Sequence, residues 1–200
     1  MSSGFENDPH SERGHACPRN KFGITNYAEL SRFEAPLSAK RLGELEDRPM
    51  KGSFDSQHLR AIHRYLFRDV FPWAGEFRVV NISKGGPMFG PVMFIGQALD
   101  DAFGKLAREK LLSGLTVDAF ADRAAFYLGE INAIHPFREG NGRTQREFIR
   151  QLAVRAGHTI SWAGFTQQEM IDASIKSHVG GENEALAEIL RRALMERGNA

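Results

Sequence analysis

The stretch His135-Pro136-Phe137-Arg138-Glu139-Gly140-Asn141-Gly142-Arg143-Thr144-Gln145-Arg146 decides how this chain is read. Just before it, Ala124, Ala125, Phe126, Leu128, Ile131, Ala133 and Ile134 make a segment that is apolar nearly all round. A helix of that kind is central and buried. Pro136 disfavours helical geometry at His135, so the histidine stands at the mouth of a loop, carried on the end of a core helix. After the loop, Phe148, Ile149 and Leu152 return at helical spacing. The stretch is therefore the corner between two helices. The fold is read as mainly α, a helical bundle built around that pair.

The corner is rich in chemistry. Arg143 and Arg146 share one face of the second helix near its start. Cations there oppose the macrodipole, which favours acids at an N-terminus. A polyanion bound at that spot explains them. Gly140-Asn141-Gly142 lets the backbone turn sharply and aim N–H groups at the same place, an anion nest. An imidazole titrates near working pH, so His135 can act as a base. Glu139 is the only acid of the loop. It suits Mg²⁺, which is held by one or two carboxylates together with substrate phosphates. Asn141 can donate its amide to an α-phosphate, and Arg143 and Arg146 have the forked geometry to clamp the β- and γ-phosphates. Together these residues read as phosphoryl or nucleotidyl transfer from a metal-bound nucleotide. The bland alternative is a Gly-rich turn with solvated arginines. Seven fixed positions plus Arg146 coincide, each at about one in twenty by chance, which argues against it.

These residues resemble the signature of the Fic family, His-x-Phe-x-(Asp/Glu)-Gly-Asn-Gly-Arg-x-x-Arg, at every motif position. Ile62-His63 and residues 66–75 are similar to the stretch before that family's substrate flap. Residues 7–9 and 20–24 look like the N-terminus of its compact bacterial members. The resemblance implies a Fic fold with one β-hairpin flap. It implies transfer of AMP from ATP to a hydroxyl of a target protein, with release of pyrophosphate. His135 is then the catalytic base. Glu139 anchors Mg²⁺, and Gly140, Asn141, Gly142, Arg143 and Arg146 bind the nucleotide. Phe137 plugs into the core, Arg138 and Thr144 face solvent, and residues 174–180 border the adenine. Among partners, the resemblance implies a target such as DNA gyrase or topoisomerase IV. It also implies a small antitoxin whose inhibitory glutamate pairs with Arg146. Ser2-Ser3-Gly4-Phe5-Glu6-Asn7 fits the inhibitory pattern (Ser/Thr)-x-x-x-Glu-(Gly/Asn) literally. It has no helical periodicity, so the restraint is expected from a separate protein. An effector acting on host GTPases is the alternative; it should bring a delivery domain, and none is visible. A Fic-like kinase carries Lys in place of Gly142. An inert binding module would show decay at His135, Glu139 or Asn141.

The rest of the chain frames this corner. Residues 1–22 are polar and read as an irregular arm, and 23–200 as one domain. A helix is expected over 27–46, with Leu30, Phe33, Leu37, Leu42 and Leu45 recurring. Another starts near 56, with Leu59, Ile62, Leu66 and Phe67 on one face. Others are expected over 94–112, 117–134, to 156 with Gly157 as cap, 167–178 and 184–197. Residues 77–82 are branched, aromatic and short, hence β-like. A turn over 83–87 and a return at Met88-Phe89 make one hairpin in a helical protein. Its unpaired edge could accept another chain, or it could be purely structural. The Fic resemblance implies the former, with Val80, Asn81, Ile82, Ser83 and Lys84 as the docking flap. The 200 residues carry a net charge of +1, so no general pull on nucleic acid or membrane is implied. Cys17 is the sole cysteine. It cannot form an internal disulfide and reads as an incidental residue in a reducing compartment. No apolar run approaches the roughly 18 residues of a span. The expected location is the bacterial cytoplasm.

Overall fold

The apolar segment before the corner folds as α4 (Val117–Ile134) in a computed structural model that describes residues 8–12, 15–83 and 87–195. Thr116 caps it by accepting the Ala119 N–H. Its burial is nearly circumferential, from Phe120 to Ile134, because α3 (Ile95–Arg108), α5 (Asn141–Ala156), α6 (Gln167–Gly180) and α7 (Glu184–Ala193) all pack on it. Gly129 permits a close approach to α6 and to the start of α7. A Cβ there would meet Asn183 Oδ1 at 2.4 Å and Ser177 Oγ at 2.5 Å. On the other side, α2 (Ser56–Phe67) packs on α5 and is covered by α1 (Tyr27–Asp47). Leu59, Ile62, Leu66 and Phe67 of α2 are buried as the periodicity predicts.

Several expected boundaries move. The helix expected over 94–112 stops at Arg108, because Lys110, Leu111 and Leu112 all take positive φ. The last helix ends at Ala193 instead of near 197. There the chain becomes extended, and β2 (Leu194–Met195) pairs antiparallel with β1 (Thr159–Ile160). Two-residue strands carry no alternation, so nothing in the sequence announced them.

On α1 the buried positions are Leu30, Glu34, Ser38 and Leu45, whereas Phe33 is half exposed. The inward face is thus rotated from the apolar one the sequence suggests.

The segment expected as a strand over 77–82 is irregular. The hairpin still closes, through a single antiparallel bridge between Ser83 and Met88 and the Phe89 N–H on the Ile82 carbonyl at 3.2 Å. Arg78 explains the irregularity. Its side chain is buried and its donors reach the carbonyls of His135 (2.8 Å), Val80 (2.8 Å), Ile134 (3.1 Å) and Gly90. The strand backbone serves this clamp instead of a ladder. Lys84 lies outside the described residues, as does the pattern at residues 2–7.

The arm is less irregular than its composition suggests. His10 stacks on Trp73 at 5.0 Å, the Lys21 N–H reaches the Val70 carbonyl, and Cys17 is buried with its thiol on the Ile24 carbonyl. Cys17 is therefore part of the core. No described helix is long and apolar enough to cross a membrane.

Candidate active site

His135 ends α4 in a left-handed conformation, φ +48° and ψ 63°, uncommon for a residue with a Cβ. The turn is held from three sides. The His135 N–H reaches back to the Ile131 carbonyl, and its own carbonyl accepts from Arg78. Its ring lies flat on Phe89, with centroids 3.8 Å apart. Phe89 also stacks on His178 of α6, at 4.9 Å. Nδ1 lies 3.3 Å from the Asn132 carbonyl. A carbonyl only accepts, so Nδ1 carries the proton and Nε2 the lone pair. That is the tautomer a general base needs.

Beneath the loop, Phe137 is buried and stacks on His63 at 3.9 Å. His63 accepts the Gly75 N–H on Nδ1 at 2.8 Å, and its Nε2 meets the Glu139 carbonyl at 3.0 Å. Burial pushes its pKa down to about 3, so the ring stays neutral and acts as a strut. His63 was given no role from sequence. Asn141 also differs from expectation. Its Nδ2 donates to the Phe137 carbonyl at 2.8 Å and its Oδ1 accepts the Phe137 N–H at 2.9 Å. The amide braces the loop and does not point into an open site.

Gly140 turns the chain into α5. Its φ is +79°, and a Cβ would meet the Phe67 ring at 2.4 Å, so glycine is needed on both counts. No side chain caps α5, which leaves its first amides available to an anion. Thr144, expected to face solvent, is fully buried and donates to the Gly140 carbonyl at 3.0 Å. Arg138, also expected outside, is ion-paired at 2.6 Å with the buried Asp8 of the arm. Both corrections have one cause: the loop is packed on both faces.

Arg143 and Arg146 differ. Arg143 Nη1 donates to Glu34 Oε1 at 2.6 Å and to Ser38 Oγ at 2.7 Å, with its guanidinium 4.8 Å over the Phe67 ring. Arg146 has no ion pair among the described residues. Burial, and secondarily the like charge of Arg143, hold its pKa below the usual guanidinium value. A half-buried cation on the second turn of an uncapped helix is suited to a bound anion.

Glu139 Oε2 accepts from the Tyr27 hydroxyl and Oε1 from the Gly140 N–H, each at 3.1 Å. Among the described residues, no group of three or more His, Cys, Asp or Glu could hold a metal ion. The residues fit a Mg²⁺ that arrives with a nucleotide and takes most of its ligands from phosphates and water. They do not fit a resident metal. In the flap, Asn81 Oδ1 accepts the Val92 N–H at 2.9 Å, so this side chain is an internal brace. Val80, Ile82 and Ser83 belong to no sheet among the described residues; the flap's pairing there is the Ser83–Met88 bridge and the Phe89 N–H on the Ile82 carbonyl.

Residues 53–153 match the Fic/DOC family. The chain is 42% identical over 190 residues to protein adenylyltransferase VbhT of Bartonella schoenbuchensis, covering 95% of this chain and 40% of that one. It is 38% identical to the probable protein adenylyltransferase y4lH of Sinorhizobium fredii, covering 92% of this chain and 95% of that one. The structure of BepC, a VirB-translocated effector of Bartonella tribocorum with bound AMPPNP, superposes with a TM-score of 0.87. That match is 25% identical and covers 94% of this chain and 97% of that one. By its motif loop, its helical order and these relatives, the chain belongs to the Fic/DOC family.

Proposed function

We propose that this protein transfers AMP from ATP to a hydroxyl side chain of another protein. One observation carries the reading. The loop between α4 and α5 puts a histidine with its base-competent tautomer at one helix end, and an uncapped N-terminus with Arg146 at the next. His135 Nε2 takes the proton as the target oxygen attacks the α-phosphorus. The bond from that phosphorus to the bridging oxygen breaks, and pyrophosphate leaves. The α5 amides and Arg146 stabilise the charge that develops, and Arg143 offers its remaining N–H edge to the phosphates. Glu139 would hold a Mg²⁺ ion that comes with the nucleotide, and the ion would supply neutralisation of the phosphate charge. The test is ATP labelled at the α- or the γ-phosphate, incubated with the chain and a bacterial lysate. Label from the α position alone supports the reading. Label from the γ position makes the protein a kinase.

For the target, the leading reading is a toxin acting on DNA gyrase or topoisomerase IV in the bacterial cytoplasm. A small antitoxin would restrain it by placing a glutamate on Arg146. The likeness to a translocated Bartonella effector supports a second reading, modification of host GTPases, about as well. Labelling in bacterial against eukaryotic extracts separates the two. Co-expression with a neighbouring small protein, with and without its glutamate, tests the restraint.

A further inference from the structure

Helix α1 lies outside the segment that matches the family, residues 53–153, yet one of its faces reaches two motif residues. Tyr27, Glu34 and Ser38 are spaced by seven and four residues, which places them on one side of a helix. Glu34 and Ser38 are buried while Phe33 beside them is half exposed. Packing alone would favour the opposite arrangement. The polar residues face inward because their partners are there. Arg143 Nη1 gives one hydrogen to Glu34 and the other to Ser38, at 2.6 and 2.7 Å. That use of Nη1 leaves the Nε–Nη2 edge, the fork that matches two phosphate oxygens. Two turns earlier, the Tyr27 hydroxyl holds Glu139 Oε2 while the Gly140 N–H holds Oε1. The carboxylate plane is thereby fixed.

We propose that α1 is a positioning helix of the active site, in which Tyr27 orients Glu139 toward the nucleotide's metal and Glu34, with Ser38, orients Arg143 toward its phosphates. This rests on the AMP-transfer reading above, and the two fail in different ways. The test separates metal from phosphate. Mn²⁺ binding is followed by electron paramagnetic resonance in the presence of a non-hydrolysable ATP analogue, and analogue binding is measured in excess chelator. Losing one hydrogen bond to the carboxylate, Tyr27→Phe should weaken Mn²⁺ binding about 5-fold and leave metal-free analogue binding within about 2-fold. Losing a charged anchor, Glu34→Ala should weaken metal-free analogue binding on the order of 10-fold, and Glu34→Gln, which keeps the acceptor, within about 3-fold. Ser38→Ala, which removes only a hydroxyl, should fall between them and guards against misfolding of Glu34→Ala. A helix that merely supports the fold would move both affinities together in every variant, and that outcome overturns the proposal. So does tighter analogue binding in both Glu34 variants, which would make Glu34 a competitor of the phosphates. If Glu139→Gln leaves Mn²⁺ binding unchanged, the metal role of Glu139 itself falls and the proposal falls with it. If Glu139→Gln responds and Tyr27→Phe does not, only the positioning role is lost.

Discussion

His63 takes the Gly75 N–H on Nδ1, so its one proton sits on Nε2 and goes to the Glu139 carbonyl. Protonating Nδ1 would break the first bond and bury a charge. Burial accordingly lowers the pKa from 6.5 to about 3. The sign follows. Below pH 6.5 the unfolded chain takes a proton that the folded chain refuses. The contribution of His63 is thus complete above that pH and is lost as pH falls toward 3. By pH 5 the loss should be roughly 2 kcal/mol. Urea unfolding of the native chain and of His63→Gln, compared at about pH 7.5 and pH 5, should show the gap between them narrowing by that amount. A constant gap would mean that His63 is not buried as a neutral ring. His135 is held differently, with Nδ1 committed to Asn132, and its effect is on rate. His135→Ala should lower AMP transfer by about 10²- to 10⁴-fold and leave ATP affinity within about 2-fold, as read by labelling and by titration with a fluorescent nucleotide. A parallel loss of affinity would make the ring a binding group.

At the level of elements, the flap separates what is structural from what faces outward. Arg78 places its guanidinium under four carbonyls at the end of α4 and along the flap, where the helix terminus favours a cation. Arg78→Met strands those carbonyls. It should cost on the order of 3 kcal/mol and depress both nucleotide binding and target modification. Ile82→Pro is the contrasting change. Its carbonyl is used by Phe89, but the N–H that proline removes makes no hydrogen bond with the described residues. Labelling of target should fall while ATP affinity and thermal stability hold, if the edge pairs with a target segment. Equal loss of both would show the flap to be purely structural. Arg78 also marks where the sequence stops being legible. α4 was readable to the residue because its apolar pattern is continuous and Pro136 ends it. The motif residues were readable because their types and spacing are dictated by phosphate chemistry. In Phe77-Arg78-Val79, alternation suggests Phe77 and Val79 inward and Arg78 outward. Instead Arg78 is buried and Val79 is half exposed, because two of the carbonyls that hold it belong to Ile134 and His135, 56 and 57 positions further along the chain. Glu34 on α1 is the same case, its partner Arg143 lying 109 positions away.

Across the whole molecule, the arm and the catalytic loop form one unit. Asp8 is buried and receives Arg138 Nε at 2.6 Å, the Ser11 hydroxyl at 2.8 Å and the His10 N–H at 3.0 Å. Arg138 Nη2 also donates to Ser11, closing the ring of contacts. Burial pulls the Asp8 pKa upward, but the bonds from Arg138, His10 and Ser11 outweigh it and the net shift is downward. The stability Asp8 supplies is therefore present above the ordinary carboxylate pKa and is lost as pH falls through its lowered value. Arg138 lies between His135 and Glu139, so whatever holds Arg138 also holds the segment that joins the proposed base to the proposed metal anchor. Removing the carboxylate takes the Asp8 ion pair from a nearly buried guanidinium, which is costly. Asp8→Ala should lose about 3 kcal/mol, and Asp8→Asn less, since it keeps an acceptor. The kinetic effect should be selective. Arg146 and the α5 amides ride on a helix packed in the core and keep their places, so ATP affinity changes little. His135, the proposed base, stands where α4 passes into that loop, and a displacement of about 1 Å there can cost on the order of 100-fold in rate. Chemical denaturation, nucleotide titration and the initial rate of labelling, measured on the same preparations, check this. Wild-type rates in an Asp8→Ala protein of reduced stability would show that the arm stabilises the fold without shaping the site.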